Sequence, residues 1–327
     1  MNGFHEKRTL IISGLIIGAI AGFLVLAGNP ANMGFCIACF IRDTVGSLGL
    51  HRAAPVQYIR PEVIGLILGA YALSIIRGGT SEQGRFVAYH SIYSRLFCHD
   101  RFLDVSRVSS SHDFAPGRRR FKCYFRYSRF AGGVGIGTIF LKRGYSLQRT
   151  YALSKLESAM MPAIQVALLI LLVAAPAFIL FSQKGPGSMH APWLISLVAG
   201  LVVGGLAQLS RLCTVGGFRD LFLFKKSILI FGYLAVLIGV FVVNISFGNF
   251  HLGFENQPIA HTDGLWNFLG MALAGFCSVL LGGCPLRQLI MTGEGNSDSA
   301  VTVLGLAAGG AAFAHNFGLA ASGAGLH

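Results

Sequence analysis

Charge is scarce in this chain. Of its 327 residues only 12% are Asp, Glu, Lys or Arg, and only 13 are acidic. Soluble domains carry about twice that charged fraction, so a water-facing globular surface is excluded for most of the sequence. The phosphate-binding pattern Gly-x4-Gly-Lys-Ser/Thr is absent, which argues against ATP-driven transport by this chain alone. Cysteine is present, seven residues, but most of it lies inside apolar stretches and not in loops, so it does not read as a disulfide framework. His51, His190, His251, His261 and His315 are scattered, without metal-ligand spacing. No metal or other cofactor is expected.

What is there is apolar: 54% of residues are hydrophobic. Several runs reach about 17–20 residues, the length that crosses a hydrocarbon core. This predicts an all-α polytopic membrane protein. The net charge of +13 misleads, because residues 82–129 hold ten Lys/Arg against four Asp/Glu. The remainder is mildly basic and offers no soluble basic surface, so nucleic acid is not an expected partner; membrane lipid is.

In chain order, Leu10–Ala27 reads as a span, retained in preference to a cleaved signal. The stretch 29–43 is apolar but short and broken at both ends, which suits a re-entrant half-helix. Spans are predicted at Glu62–Ile76, Met160–Phe181, Trp193–Leu209, Ile228–Ile245 and Leu265–Leu281, with a further apolar segment at Ala300–Phe313 and a Gly-rich one at Phe130–Leu141. Lys142–Glu157 reads as a basic loop, Gln183–His190 as a Gly/Pro turn and Gly248–Asp263 as a polar loop.

Two short stretches match. Cys36 stands six residues before Arg42 and seven before Asp43; Cys213 stands six before Arg219 and seven before Asp220. A Cys-x5-Arg-Asp pattern recurring after an apolar span is the mark of a transporter or channel built from two halves. A third stretch, Gly283-Cys284-Pro285-Leu286-Arg287, sets a thiol, a proline and a cation between two apolar segments, where they are costly unless they face a protein interior or a pathway.

At the repeat's spacing, Cys284 should have a partner near position 107, and the sequence there has none. Asp104 to His112 can be back-translated so that a one-base shift reads Met-Phe-Leu-Gly-Cys-Pro-Leu-Arg-Met, the Cys284 motif. The same shift permits apolar text on both sides. We therefore read the stretch from near Gln83 to near Arg129 as out of frame between two compensating indels, so that 82–129 would be poorly ordered or non-native and Cys98 and Cys123 without function. The alternative is a genuine basic loop in which the motif was lost. With the frame restored, the expected organisation is a first membrane half (1–157), a linking span (158–190) and a second half (191–327). Lys7, Arg8 and the loop with Lys142, Arg143, Arg149 and Lys155 would lie in the cytoplasm, and the two halves would be inverted.

Cys36, Cys39, Cys213 and Cys284 are the candidate pathway thiols. A thiol is a weak, polarisable hydrogen-bond donor, suited to a soft sulfur or selenium solute. Arg42, Arg219 and Arg287 would attract an anion, and half-helix N-termini would add N–H groups. Asp43, Asp220 and Pro285 are expected to support the site, the aspartates by pairing with arginines. Cys277, without a polar motif around it, reads as packing. Cys36 and Cys39 could instead serve a membrane redox or sulfur-transfer protein; a structural subunit acting only with a partner is a third reading. Enzymatic activity is not the leading expectation.

These motifs, the stretches Asn32–Asp43, Arg211–Asp220 and Gly283–Arg287, resemble those of the YeeE/YedE family of bacterial inner-membrane proteins, nearest to the YedE-type branch associated with selenium transport. The resemblance covers nearly the whole chain except 82–129. It implies an hourglass-shaped helical protein with inverted pseudo-symmetry and re-entrant helices. It further implies uptake of a thiosulfate-like anion handed between thiols by S–H hydrogen bonds, and a small soluble TusA/SirA-like sulfurtransferase as partner. Cys36 or Cys39, Cys213 and Cys284 match the family's thiol positions.

Overall fold

The computed structural model describes residues 2–30, 33–78, 83–84, 120–145, 151–152, 155–248 and 264–317. Among the described residues the regular structure is helical apart from a two-residue antiparallel ladder, in which β1 (Gln83–Gly84) pairs with β2 (Tyr151–Ala152). The helices are α1 (Asn2–Leu26), α2 (Ile37–Ser47), α3 (Pro61–Ile76), α4 (Arg120–Lys142), α5 (Lys155–Ala174), α6 (Trp193–Ser210), α7 (Thr214–Phe224), α8 (Ile228–Ser246), α9 (Gly264–Leu280), α10 (Pro285–Gly293) and α11 (Ser297–Gly305). α11 runs on through a π-helical stretch, Leu306–Phe313, to Asn316. Among the described residues, six segments are long and apolar enough to cross a membrane: His5–Leu26, Ala54–Ile76, Trp193–Phe224, Ile228–Ser246, Leu269–Gly293 and Ser297–Asn316. The protein is a polytopic α-helical membrane protein.

Glycine decides which helices meet. Without side chains, helix backbones approach closely and gain dispersion contact that lipid would otherwise match. A Cβ at Gly14 would press on the Gly232 carbonyl and one at Gly18 would collide with that of Val236, so α1 and α8 run parallel in tight register. Gly200 meets the Glu62 carbonyl and Gly204 that of Leu66 in the same manner, so α6 and α3 are also parallel. Gly69 faces Leu201 as Gly239 faces Leu15. The two interlocks are copies, with α6 in the place of α1 and α3 in the place of α8. In each half the first and third helices flank a short second helix. An inverted repeat predicts this exchange of partners: the first helix of either half lies parallel to the third helix of the other. The α4–α9 pair is parallel as well, with Gly133 against Ala272 and Gly275 against Phe130.

Two expectations need correction or limits. Met160–Phe181 is not one span. α5 stops at Ala174, where Ala175 takes φ +40 and Pro176 follows, a residue that cannot continue the helix ladder. The chain then turns back as a strap over the loop after α2: Leu180 N–H donates to Ser47 O (2.9 Å), Ser182 N–H to Gln57 O (2.9 Å) and Gly187 N–H to Pro55 O (2.8 Å). The greater part of the stretch read as out of frame, 85–119, lies outside the described residues, and with it Cys98 and the expected motif partner near Val108; from Arg120 the backbone is helical into α4.

Candidate functional site

Each of the three motif cysteines is the residue that starts a short helix. Cys36 is the N-cap of α2, Cys213 of α7 and Cys284 of α10. An N-cap needs an acceptor for the orphan N–H groups of the first turn, usually a side-chain oxygen. Here sulfur takes the role: Cys39 N–H donates to Cys36 Sγ (3.4 Å) and Gly216 N–H to Cys213 Sγ (3.2 Å). The repeated Cys-x5-Arg-Asp pattern is thus a capping thiol followed by an ion pair in the second turn.

The breaks before these helices are built into the backbone. α6 ends on Arg211 in the left-handed region (φ +51). Before α10, Gly282 adopts φ +84 with open space where a Cβ would stand, a conformation natural to glycine. Pro285 occupies the first position of α10, where its missing N–H removes an orphan donor and its fixed φ favours helix.

The structure brings Cys213 and Cys284 together. Their sulfurs lie 3.6 Å apart, and Cys284 N–H also points at Cys213 Sγ (3.5 Å). Two helix N-termini from separate segments therefore converge on one thiol pair. Both residues are buried, packed in an apolar cluster with Phe130, Val134, Val215, Met271, Ala274 and Val279. Cys36 and Cys39 do not join them; they form a separate, fully buried cluster with Met33.

The arginines are paired, so none stands as an isolated cation. Arg219 Nη2 bonds Asp220 Oδ1 (2.9 Å) and Arg287 Nη1 bonds Glu294 Oε1 (3.2 Å), both pairs partly open to solvent. Arg42 Nη2 bonds Asp43 Oδ1 (2.6 Å), fully buried. The expected pull on an anion is weaker than three free charges would give, and what remains comes from the convergent helix ends.

Sequence reasoning missed a second polar group. Arg60 is fully buried and donates through Nε to Asp43 Oδ2 (2.9 Å), through Nη1 to Met189 O (3.2 Å) and through Nη2 to Pro186 O (2.9 Å). Beside it, Glu62 Oε1 accepts from Asn29 Nδ2 (2.9 Å) and Ser196 Oγ (3.0 Å), while Asn29 Oδ1 accepts from Ala191 N–H (3.0 Å). His190 stacks on Tyr58 with ring centres 4.1 Å apart, and His51 on His315 at 4.7 Å. One signal was available: Arg60-Pro61-Glu62 places two charges and a helix starter at the head of an apolar span, where charge persists only when paired.

Cys277, in α9, is buried. Among the described residues no group of three or more His, Cys, Asp or Glu side chains could hold a metal ion.

Comparison with known proteins gives two findings. Residues 209–321, which contain Cys213, Cys284 and both of the second half's arginine pairs, match the family model described as Sulphur transport. Over 111 residues the chain is 30% identical to the thiosulfate transporter TsuA of Escherichia coli (strain K12); that stretch is 33% of this chain and 30% of the relative, so the match spans about a third of either protein.

Proposed function

We propose that this chain, whose residues 209–321 match the family model described as Sulphur transport, belongs to that (YeeE/YedE) family and conducts a small sulfur-containing anion of the thiosulfate class across a membrane past the Cys213–Cys284 thiol pair. One observation carries the reading. Two helix N-termini meet on two thiols 3.6 Å apart within an apolar cluster. The N–H-rich helix ends favour an anion. The thiols offer weak, polarisable donors that release a soft solute as readily as they hold it. A hard, strongly hydrated anion would lose more in leaving water than such a site returns.

Cys36, which caps the equivalent helix of the first half, and Cys39 in its first turn form the second station. Arg42 and Asp43 support it, as Arg219 and Asp220 support the first, and Arg287 with Pro285 sets the orientation of Cys284. A selenium analogue of the same shape and softness is the natural competitor. The bacterial inner membrane is the proposed location, and a small soluble sulfurtransferase of the TusA/SirA kind the proposed acceptor of the delivered sulfur. The protein acts here as a conduit and not as an enzyme.

The test is uptake of radiolabelled thiosulfate into proteoliposomes holding the purified chain. Uptake above empty vesicles is expected, with Cys213→Ala and Cys284→Ala each abolishing most of it. Unchanged uptake in both variants would refute the thiol route.

A further inference from the structure

We infer that Cys213 and Cys284 form an oxidation site, at which a peroxide converts the thiol pair to a disulfide and so shuts the route between them. The sulfurs are already 3.6 Å apart. A disulfide is about 2.0 Å long, so the approach required is roughly 1.6 Å. The two residues cap different short helices, α7 and α10, each standing just before the first helical turn. Gly282 has no atom within 4 Å of its Cβ position, and Gly283 joins it to Cys284. A small pivot of α10 about its own start is therefore open to the backbone.

The chemistry needs one co-reactant. One thiol attacks the O–O bond of hydrogen peroxide, becomes a sulfenic acid and releases one water. The neighbouring thiol attacks the sulfenic sulfur; the S–S bond forms, the S–O bond breaks and a second water leaves. Two thiols lose two electrons and the peroxide gains them. Burial of both residues, at 5% and 8% exposure, disfavours bulky reagents relative to one as small as hydrogen peroxide. It also places the second thiol against the sulfenic acid before further oxidation, which favours the reversible product. Loss of both S–H donors removes the hydrogen-bonding station. That consequence for uptake rests on the reading given above; the disulfide itself does not.

The experiment uses the full chain in proteoliposomes. Hydrogen peroxide is added, free thiols are alkylated after denaturation, and the digest is examined by mass spectrometry. The expected result is a linked Cys213–Cys284 peptide lacking two hydrogens, reversed by dithiothreitol and absent from Cys213→Ser and Cys284→Ser. Full alkylation of both cysteines, separate sulfinic acids, or a link from either to Cys277 overturns the site. In a parallel arm, thiosulfate uptake is expected to fall to background on oxidation and to return on reduction. Persistent uptake with the link formed overturns the closure. Absence of uptake before any peroxide is added defeats the transport reading alone, since the linked peptide still decides the oxidation site.

Discussion

The two halves share one motif and use it differently. In the first half Asp43 lies between Arg42 and Arg60, with both arginines and the carboxylate withdrawn from solvent. In the second half Asp220 has, among the described residues, Arg219 as its ion-pair partner, and those side chains are 31% and 24% exposed. The glycine interlocks explain the difference. Glu62 occupies in α3 the place that Gly232 occupies in α8, so two residues earlier Arg60 corresponds to Ile230. Ser196, which bonds Glu62, corresponds to Leu10, which packs on Gly232. The first half has turned the shared Arg-Asp pair into an internal clamp that holds the strap between α5 and α6. The second half kept the pair near the surface and put its thiol in contact with another. The repeated glycine interlock thus fixes where the helices go and leaves each copy's polar residues free to diverge.

The largest effect should separate the two aspartates. Asp43→Ala leaves Arg42 and Arg60 buried without a counter-charge, a change that costs about 3–5 kcal/mol. Asp220→Ala removes one partner of a solvent-screened pair, worth about 0–1 kcal/mol. Thermal unfolding of the two purified variants checks this: a large drop, or no folded protein, for the first and little change for the second. Equal losses would mean that the halves are held alike and that the clamp is not special.

The glycine interlocks come next, and here the halves should behave the same. Gly18→Ala drives a methyl into the Val236 carbonyl and Gly204→Ala drives one into that of Leu66. Each should cost about 1–3 kcal/mol through forced separation of packed helices. Gly205→Ala, whose Cβ would meet only Leu73 Cδ2 at 4.0 Å, should be neutral or stabilising. A large inequality between Gly18→Ala and Gly204→Ala would break the proposed equivalence of the two interfaces.

Much of this was readable in advance. Apolar runs located the spans, and the Cys-x5-Arg-Asp repeat located two of the broken helices, because hydrophobic length and local capping are written in neighbouring residues. The end of α5 was missed: its apolar text continues past Ala174, and only the backbone reversal at Ala175–Pro176 stops it. The clamp was missed for another reason. Arg60 reaches Pro186 and Met189, and Asn29 reaches Ala191, across well over a hundred residues, and no periodic pattern connects such positions. Contact between Cys213 and Cys284 was likewise a matter of folding, since the motif alone could not say which thiols meet.

A pH effect should be confined to the first half. His51 follows α2, donates from Nε2 to Arg42 O (3.1 Å) and accepts the Ala53 N–H at Nδ1 (3.2 Å). Both ring nitrogens are thereby used in the neutral form. Burial holds its pKa below the ordinary value of 6.5, with the nearby Arg42 adding to the depression and Asp43 and the Arg42 carbonyl opposing it. The stacked ring of His315 faces it from the other half. A depressed folded pKa means that the unfolded chain binds the proton more readily. The contribution is therefore complete above about pH 6.5 and is lost as pH falls through the lower folded value. Unfolding temperatures at pH 7.5 and pH 5 should differ more for the wild type than for His51→Gln, which keeps a donor toward Arg42 O and cannot charge.

The smallest effect concerns how the two motif helices end. After α2 the chain reverses at Gly49, with φ +75; α7 reverses at Lys225, with φ +53. A left-handed turn after a helix is natural for glycine and costs other residues about 1–2 kcal/mol. Lys225 is held there because its N–H bonds Leu221 O (3.1 Å) and the next N–H bonds Asp220 O (3.2 Å). The turn thus shares a residue with the ion pair of the second half. Lys225→Gly removes the strain but adds freedom to the unfolded chain, so the net gain should be about 0.5–1 kcal/mol. Gly49→Ala should lose about 1 kcal/mol, for backbone reasons alone, because its Cβ would meet nothing nearer than Leu180 Cδ1 at 4.0 Å. Opposite signs in the two unfolding experiments would show that the copies differ at this turn by one residue and not by design of the helix. A loss on Lys225→Gly would instead mean that the lysine side chain holds something its backbone does not reveal.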